Sequence, residues 1–430
     1  MTGISAPIGF FHPLLPACRP GGFALKRAVM RRIFSILQGL ALVAALAVRA
    51  QIDPIARDLI QFGYNQPNEG REPLSGYAFY YHNDPDFLRT NLTLRLAVAP
   101  TYLDSELGFR HLLGPNTDLG IGVAGGGFAD SYNEIRAGKW IEGESFDGYG
   151  GEFSTSVYHL FNPGQLIPLN LVVRGAAHYS VYARSETEGS FQLPADGGDF
   201  SFRTGLRYGG IEPTLFPELA MELAGWYEGQ FRTDSGSYGF NGDRSLEAAA
   251  HLFWGSAALS YTWPESKQNL FVRIVAGTSV DADRLSAYRL GGFLPLVAEY
   301  PLSLPGYYFQ EFSARSFALI NASYILPIAP SQRWNLEFNG ATADIDYLPG
   351  TGQPGNWNSG VGAGILYRSP SDKFKCIVSY AYAVDALRTS GRGASTICFL
   401  IQVDLGRFHS TSFSATQPDR WQGWNWLLGR

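Results

Sequence analysis

Long stretches of this chain alternate residue by residue between an apolar and a polar face, and beyond residue 50 no run of ~18 apolar residues exists that could cross a membrane as a helix. In Leu169 to Arg184, one face carries Leu169, Leu171, Val173, Gly175, Ala177, Tyr179 and Val181. The other carries Asn170, Val172, Arg174, Ala176, His178, Ser180, Tyr182 and Arg184. Leu270 to Val280 sets Leu270, Val272, Ile274, Ala276, Thr278 and Val280 against Arg273, Gly277 and Ser279. Near the end, Phe399, Ile401, Val403 and Leu405 oppose Gln402 and Asp404. Soluble sandwiches also alternate, but their strands are usually about five or six residues long. Alternation over ten or more residues is what the wall of a membrane barrel requires, because every backbone polar group must pair within the sheet. The fold class is therefore all-β, a transmembrane antiparallel β-barrel.

Candidate strands run near 88–103, 105–112, 117–128, 146–161, 168–185, 199–211, 218–233, 245–263, 267–283, 315–328, 333–347, 357–369, 373–388 and 393–408. That is about 14, within a range of 12–16, and an even number as bacterial barrels prefer. Connections after alternate strands, such as "LGPNT", "WPESKQ" and "SPSDK", are short and turn-rich. Those between them, such as "ETEGSFQLPADGGD", are mostly longer and polar, the asymmetry of an outer-membrane barrel. Only Asp104 and Ser105 follow the first strand, which breaks the pattern. Trp254, Trp263, Trp334 and Trp357 fall near strand ends, as an aromatic girdle would.

The ends read differently. Lys26, Arg27, Arg31 and Arg32 precede an apolar run, Ile33 to Ala47, with small residues Val48 and Ala50 before Gln51. This is the layout of a signal peptide, too short for a comfortable membrane helix. Residues 1–50 are expected to be leader, 51–87 a short periplasmic segment, 88–408 the barrel and 409–430 a tail. "IDPIARDLI" at 52–60 suits a short helix or plug, and the three tryptophans of Asp419 to Arg430 suit contact with a lipid surface. Net charge is −5 with no basic block, which argues against a nucleic-acid partner.

One connection departs from all others. Tyr288 to Phe312, "YRLGGFLPLVAEYPLSLPGYYFQEF", is apolar and aromatic yet broken by proline and glycine. Such a segment makes sense if the whole connection, roughly 284–314, folds back into the barrel and gates or plugs its lumen rather than standing in water. Five candidate strands follow it.

Here the chain resembles the outer-membrane protein 85 superfamily, whose C-terminal barrel is also called the bacterial surface antigen domain. The resemblance rests on "RLGGF" (Arg289, Leu290, Gly291, Gly292, Phe293), on "PGY" (Pro305, Gly306, Tyr307), and on the five strands after them. It implies a loop that dips into the barrel, with an arginine at its tip meeting an acid on the inner wall. Asp344, in "NLEFNGATADIDY", lies closest to the acid's position. Pro305 stands where the arginine is expected, leaving Arg289 or Arg315 as substitutes. The resemblance also implies insertion or translocation of proteins, with protein substrates, outer-membrane lipid and an assembly machinery that reads the last strand near Phe408 as partners. Domains of the periplasmic transport-associated kind have no room in 51–87.

Rival readings are a passive porin-like channel, for which Arg174, His178, Arg184, Arg273 and Asp404 would line the lumen together with Arg203, Arg207 and Asn321, and an outer-membrane lipid hydrolase. The hydrolase rests only on His178 and Ser180 sharing a face, so no catalytic residue is assigned. "GIGVAG" (Gly120 to Gly125) has no helix after it and reads as small residues on a strand. No metal-ligand spacing occurs and no cofactor is expected. Cys376 falls on the lipid face and Cys398 on the lumen face, so both are expected as free thiols.

Overall fold

The structure, a computed structural model, describes residues 56–406 apart from 164, 166, 212–213, 218–219, 297–299 and 329–330. Sixteen antiparallel strands form a closed barrel: β1 Arg57–Pro67, β2 Gly76–Asp84, β3 Leu92–Val98, β4 Tyr102–Gly114, β5 Thr117–Gly126, β6 Asp147–Leu160, β7 Leu169–Ala183, β8 Gly197–Gly210, β9 Ala220–Arg232, β10 Ala249–Thr262, β11 Asn269–Val280, β12 Phe312–Pro327, β13 Trp334–Tyr347, β14 Trp357–Arg368, β15 Phe374–Arg388 and β16 Gly391–Asp404. Each strand pairs with the next in sequence, and β1 pairs with β16 from Leu59↔Asp404 to Pro67↔Thr396. Closure leaves no free sheet edge at that seam.

The count of sixteen is the upper end of the expected 12–16. Arg57–Pro67 and Gly76–Asp84 are wall strands, whereas the sequence pattern placed 51–87 outside the barrel. The reason is polar inward residues: Gln61 and Asn65 are buried, while Ile60 and Phe62 on the opposite face are exposed, so the apolar stripe is short. Two added strands leave the up–down parity unchanged, and the assignment of long and short rims survives. The last strand ends at Asp404. The residues expected as leader (1–50) and as tail (409–430) lie outside the described residues.

The outer face is an apolar belt, with Phe62, Phe153, Tyr179, Phe200, Phe253, Ile320, Val361 and Val378 exposed. Trp263, Trp334 and Trp357 are exposed near strand ends, but Trp254 points inward and stacks on Trp226 at 6.2 Å, so it does not belong to the girdle. Cys376 and Cys398 are free, and Cys398 lies on the inner face.

Candidate functional site: the loop across the lumen

A wall of 16 strands encloses more space than its own side chains can fill. Here the connection between β11 and β12, residues 281–311, enters that space. It starts by pairing back on its own exit strand, Tyr288–Leu290 against Phe312–Ala314. It then crosses the bore. On one side Tyr300 packs on Trp226 of β9 at 5.8 Å and on Trp254 of β10 at 6.2 Å, with the Arg273 guanidinium over its ring. On the other side Leu304 and Tyr307 are fully buried with Leu319, Ala343, Ile345 and Ala383. Alanines at the inward positions of β13 and β15 leave room for the loop to approach.

Gly306 shows how close that approach is. Its φ of 85° is in the left-handed region, and a Cβ there would run into the β15 backbone at Tyr382–Ala383. Tyr307 donates its hydroxyl to the Ser359 carbonyl at 3.3 Å, and Asn321 donates to the Ser303 carbonyl at 2.7 Å. Burial pushes both the Tyr307 and Tyr308 phenols up from their usual value. These contacts give the "PGY" residues Pro305, Gly306 and Tyr307 a specific seat on the inner wall. In "RLGGF", Leu290 is buried in the same cluster. Gly291 and Gly292 take positive φ beside the backbone of residues 308–311, and Phe293 packs in a second apolar cluster below.

The ionic anchor differs from the one the resemblance implied. Asp344 is on the outer face, opposite exposed Trp357 and Ala318, while Ala343 and Ile345 point inward. A one-residue difference in strand parity exchanges faces. Arg315 is also outside, paired with Asp346 at 2.8 Å and largely exposed. Arg289 donates to the carbonyls of Asn133 and Gln310, and its guanidinium covers the Tyr132 ring. The buried ion pair has reversed polarity: Glu311 is on the loop and Arg388 on β15, at 2.8 and 3.0 Å, with both side chains 1% exposed. Arg388 also lies 3.6 Å above the Tyr308 ring. Nothing in the linear sequence marks Glu311 or Arg388 as partners, since 77 residues separate them.

The same end of the loop holds the connection 68–75 beside the seam. Tyr308 donates to the Glu69 carbonyl at 2.9 Å, and the Phe309 N–H donates to the Glu72 carboxylate at 3.2 Å. Burial holds the Glu72 carboxyl up at about 8, against the opposing effect of that N–H and of Asn65. Glu69 in turn accepts from the backbone and hydroxyl of Ser395 on β16. The loop thus touches both sides of the β1–β16 closure.

Above it, the other long connections form a cap. Tyr132, Phe146, Phe191 and Tyr238 make one aromatic cluster, ringed by Arg244 and Arg284 on Glu134, and Arg136 and Arg244 on Glu144. At Gly138, φ 73°, a Cβ would meet the Leu387 carbonyl, so this connection reaches across to β15.

The remaining expected lumen residues lie mostly on the β6–β9 side, and they are paired. Arg174 meets Glu152 at 2.7 Å, and Arg203 meets Glu228 at 2.8 Å. Arg273 is buried under Tyr300. Arg184 is past the end of β7 and donates to the Glu188 and Phe191 carbonyls, so it belongs to the rim rather than the lumen wall. Asp404 is at the short-turn end of β16. Asp130 takes hydrogen bonds from both His178 and Ser180, each at 2.8 Å, so the serine is directed at a carboxylate and not at the imidazole. A nucleophile activated by a base needs the opposite arrangement.

No protein-family model matches the chain, and no curated protein matches its sequence. Solved structures do match in fold. CdiB from Acinetobacter baumannii superposes with a TM-score of 0.53 at 9% identity, over 87% of this chain and 68% of that one. BamA from Haemophilus ducreyi lacking POTRA domains 1–3 gives 0.51 at 11%, over 89% and 78%. CdiB from Escherichia coli gives 0.51 at 11%, over 80% of this chain and 62% of that one. At such identities the likeness is one of fold alone: a closed antiparallel barrel.

Proposed function

We propose that this chain is a bacterial outer-membrane barrel that inserts or translocates polypeptides, and that residues 281–311 plug its lumen at rest. The observation that carries the reading is the loop's course across the bore, from Trp226 and Trp254 on one side to Ala383 and Arg388 on the other. A segment seated across the bore favours a plugged lumen over an open, water-filled one. The apolar belt supports residence in a lipid bilayer. The superfamily that the sequence resembles supplies the substrate class, and the fold likeness to CdiB and BamA agrees with it. Single-channel conductance of refolded protein in planar bilayers tests the plug. The intact chain is expected to be nearly silent, and replacement of 284–311 by a short glycine–serine turn to give a large, steady pore. Equal conductance of the two would sink the plug.

A further inference from the structure

The lumen is also entered from the opposite rim. The connection 211–219 joins β8 to β9, about half-way round the 16-stranded ring from β16. Its tip nevertheless reaches β16. Leu215 is 2% exposed, and its N–H donates to the Gln402 side-chain oxygen at 2.8 Å. That oxygen also accepts from Gln61 of β1 at 2.9 Å, which fixes the amide's orientation. Around Leu215 lie Ile325, Leu366, Ile377 and Leu400, inward residues of β12, β14, β15 and β16. Phe216 follows with a φ of 56°, a conformation that a bulky residue adopts only when its surroundings hold it there.

We propose that this cup is a binding subsite for one apolar residue of a polypeptide and the backbone N–H of that residue, and that Thr214–Pro217 occupies it at rest. The proposal rests on the reading that polypeptide enters the lumen. Three features support it. The cup recognises its occupant by one apolar side chain and one main-chain N–H, groups that any apolar peptide residue offers. The occupant belongs to a turn outside the strand ladder, so its departure breaks no barrel pairing. The cup is continuous with the long loop, since Leu294 and Phe293 pack in the same cluster and Cys398 donates to the Phe293 carbonyl at 3.2 Å. A peptide that displaces the turn would therefore meet the underside of the plug.

The test uses fluorescence anisotropy with a labelled peptide of sequence Ser-Thr-Leu-Phe-Pro-Ser and the full-length protein in detergent. The variant Leu215→Gly/Phe216→Gly empties the cup, and the heat-dependent gel shift of folded barrels reports that it has folded. This variant is expected to bind the peptide at least ten-fold more tightly than wild type. Adding Gln402→Leu, or methylating the peptide nitrogen of its leucine, should remove most of that gain. Equal binding by wild type and variant overturns the proposal. So does tighter binding that survives both controls, because the N–H contact would then play no part. Should the double-glycine variant fail to fold, Leu215→Ala serves with the same expectations on a smaller scale. The readout is independent of conductance. Failure of the loop replacement to open a pore would defeat the plug, and failure of the binding difference would defeat the cup.

Discussion

The two halves of the inner wall solve the problem of a wide bore in opposite ways. From β12 to β16 the inward residues are largely small or aliphatic, among them Ala314, Leu319, Ala341, Ala343, Ala383 and Ala394, and the loop lies directly on them. From β3 to β9 the wall carries Glu106, Asp118, Arg174, Arg203 and Glu222, satisfied by opposite charges, by hydroxyls or by backbone. The first half is a close-packed interior in which the Glu311–Arg388 pair is shut off from solvent and Glu337 is buried against the Asn339 amide. The second is mixed: Glu106, Asp118 and Glu222 are buried, whereas the Arg174–Glu152 and Arg203–Glu228 pairs join partly exposed groups. The same kind of substitution should therefore cost much at the buried Glu311–Arg388 pair and little at the partly exposed Arg174–Glu152 pair.

The sharpest break would come at the buried pair. Arg388→Met leaves the Glu311 carboxylate buried without its partner and is expected to lose about 3–5 kcal/mol in urea unfolding of the refolded protein. Adding Glu311→Leu should restore most of that stability, because an apolar pair of similar volume replaces the ion pair. If the single and double variants are equally damaged, the pair is not what holds the loop.

Gly306→Val comes next. It combines a left-handed φ, costing about 1–2 kcal/mol for a residue with a Cβ, with a collision against the β15 backbone. Limited proteolysis should then cut within 281–311 in the folded barrel, where the wild type resists.

A smaller effect, set by pH, concerns Glu72, whose surroundings include Glu69, Glu311, Tyr308 and Arg388. Its folded value of about 8 is raised from an ordinary 4.5, so folding favours the protonated form. The contribution to holding the loop is complete below the ordinary value, declines as pH rises through the interval and is gone above about 8. Stability should therefore fall between pH 5 and 8 by roughly 1–2 kcal/mol, after allowance for partial exposure, and Glu72→Gln should flatten the slope. An unchanged slope in that variant would remove Glu72 from the account.

In the polar half, Arg174→Met is expected to change stability by less than about 1 kcal/mol, because Arg174 and Glu152 each keep about a quarter of their side chains in contact with solvent. A loss as large as that of Arg388→Met would abolish the contrast between the buried and the partly exposed pair.

Period-two alternation was enough to establish a membrane-type barrel, its up–down parity and which rim carries the long connections, because lipid on one side and polar lumen on the other write themselves into every second residue. It also marked 284–314 as a segment that could not stand in water. Strands with polar inward faces, such as Arg57–Pro67, were missed because their apolar stripe is brief. The face of Asp344 was misjudged because one residue of register decides it. Which groups meet inside the bore could not be read from the chain at all. Glu311 with Arg388, Tyr300 with Trp226 and Trp254, and Leu215 with Gln402 are joined only once the ring closes and brings strands distant in sequence to face one another, and that closure is a property of the tertiary structure.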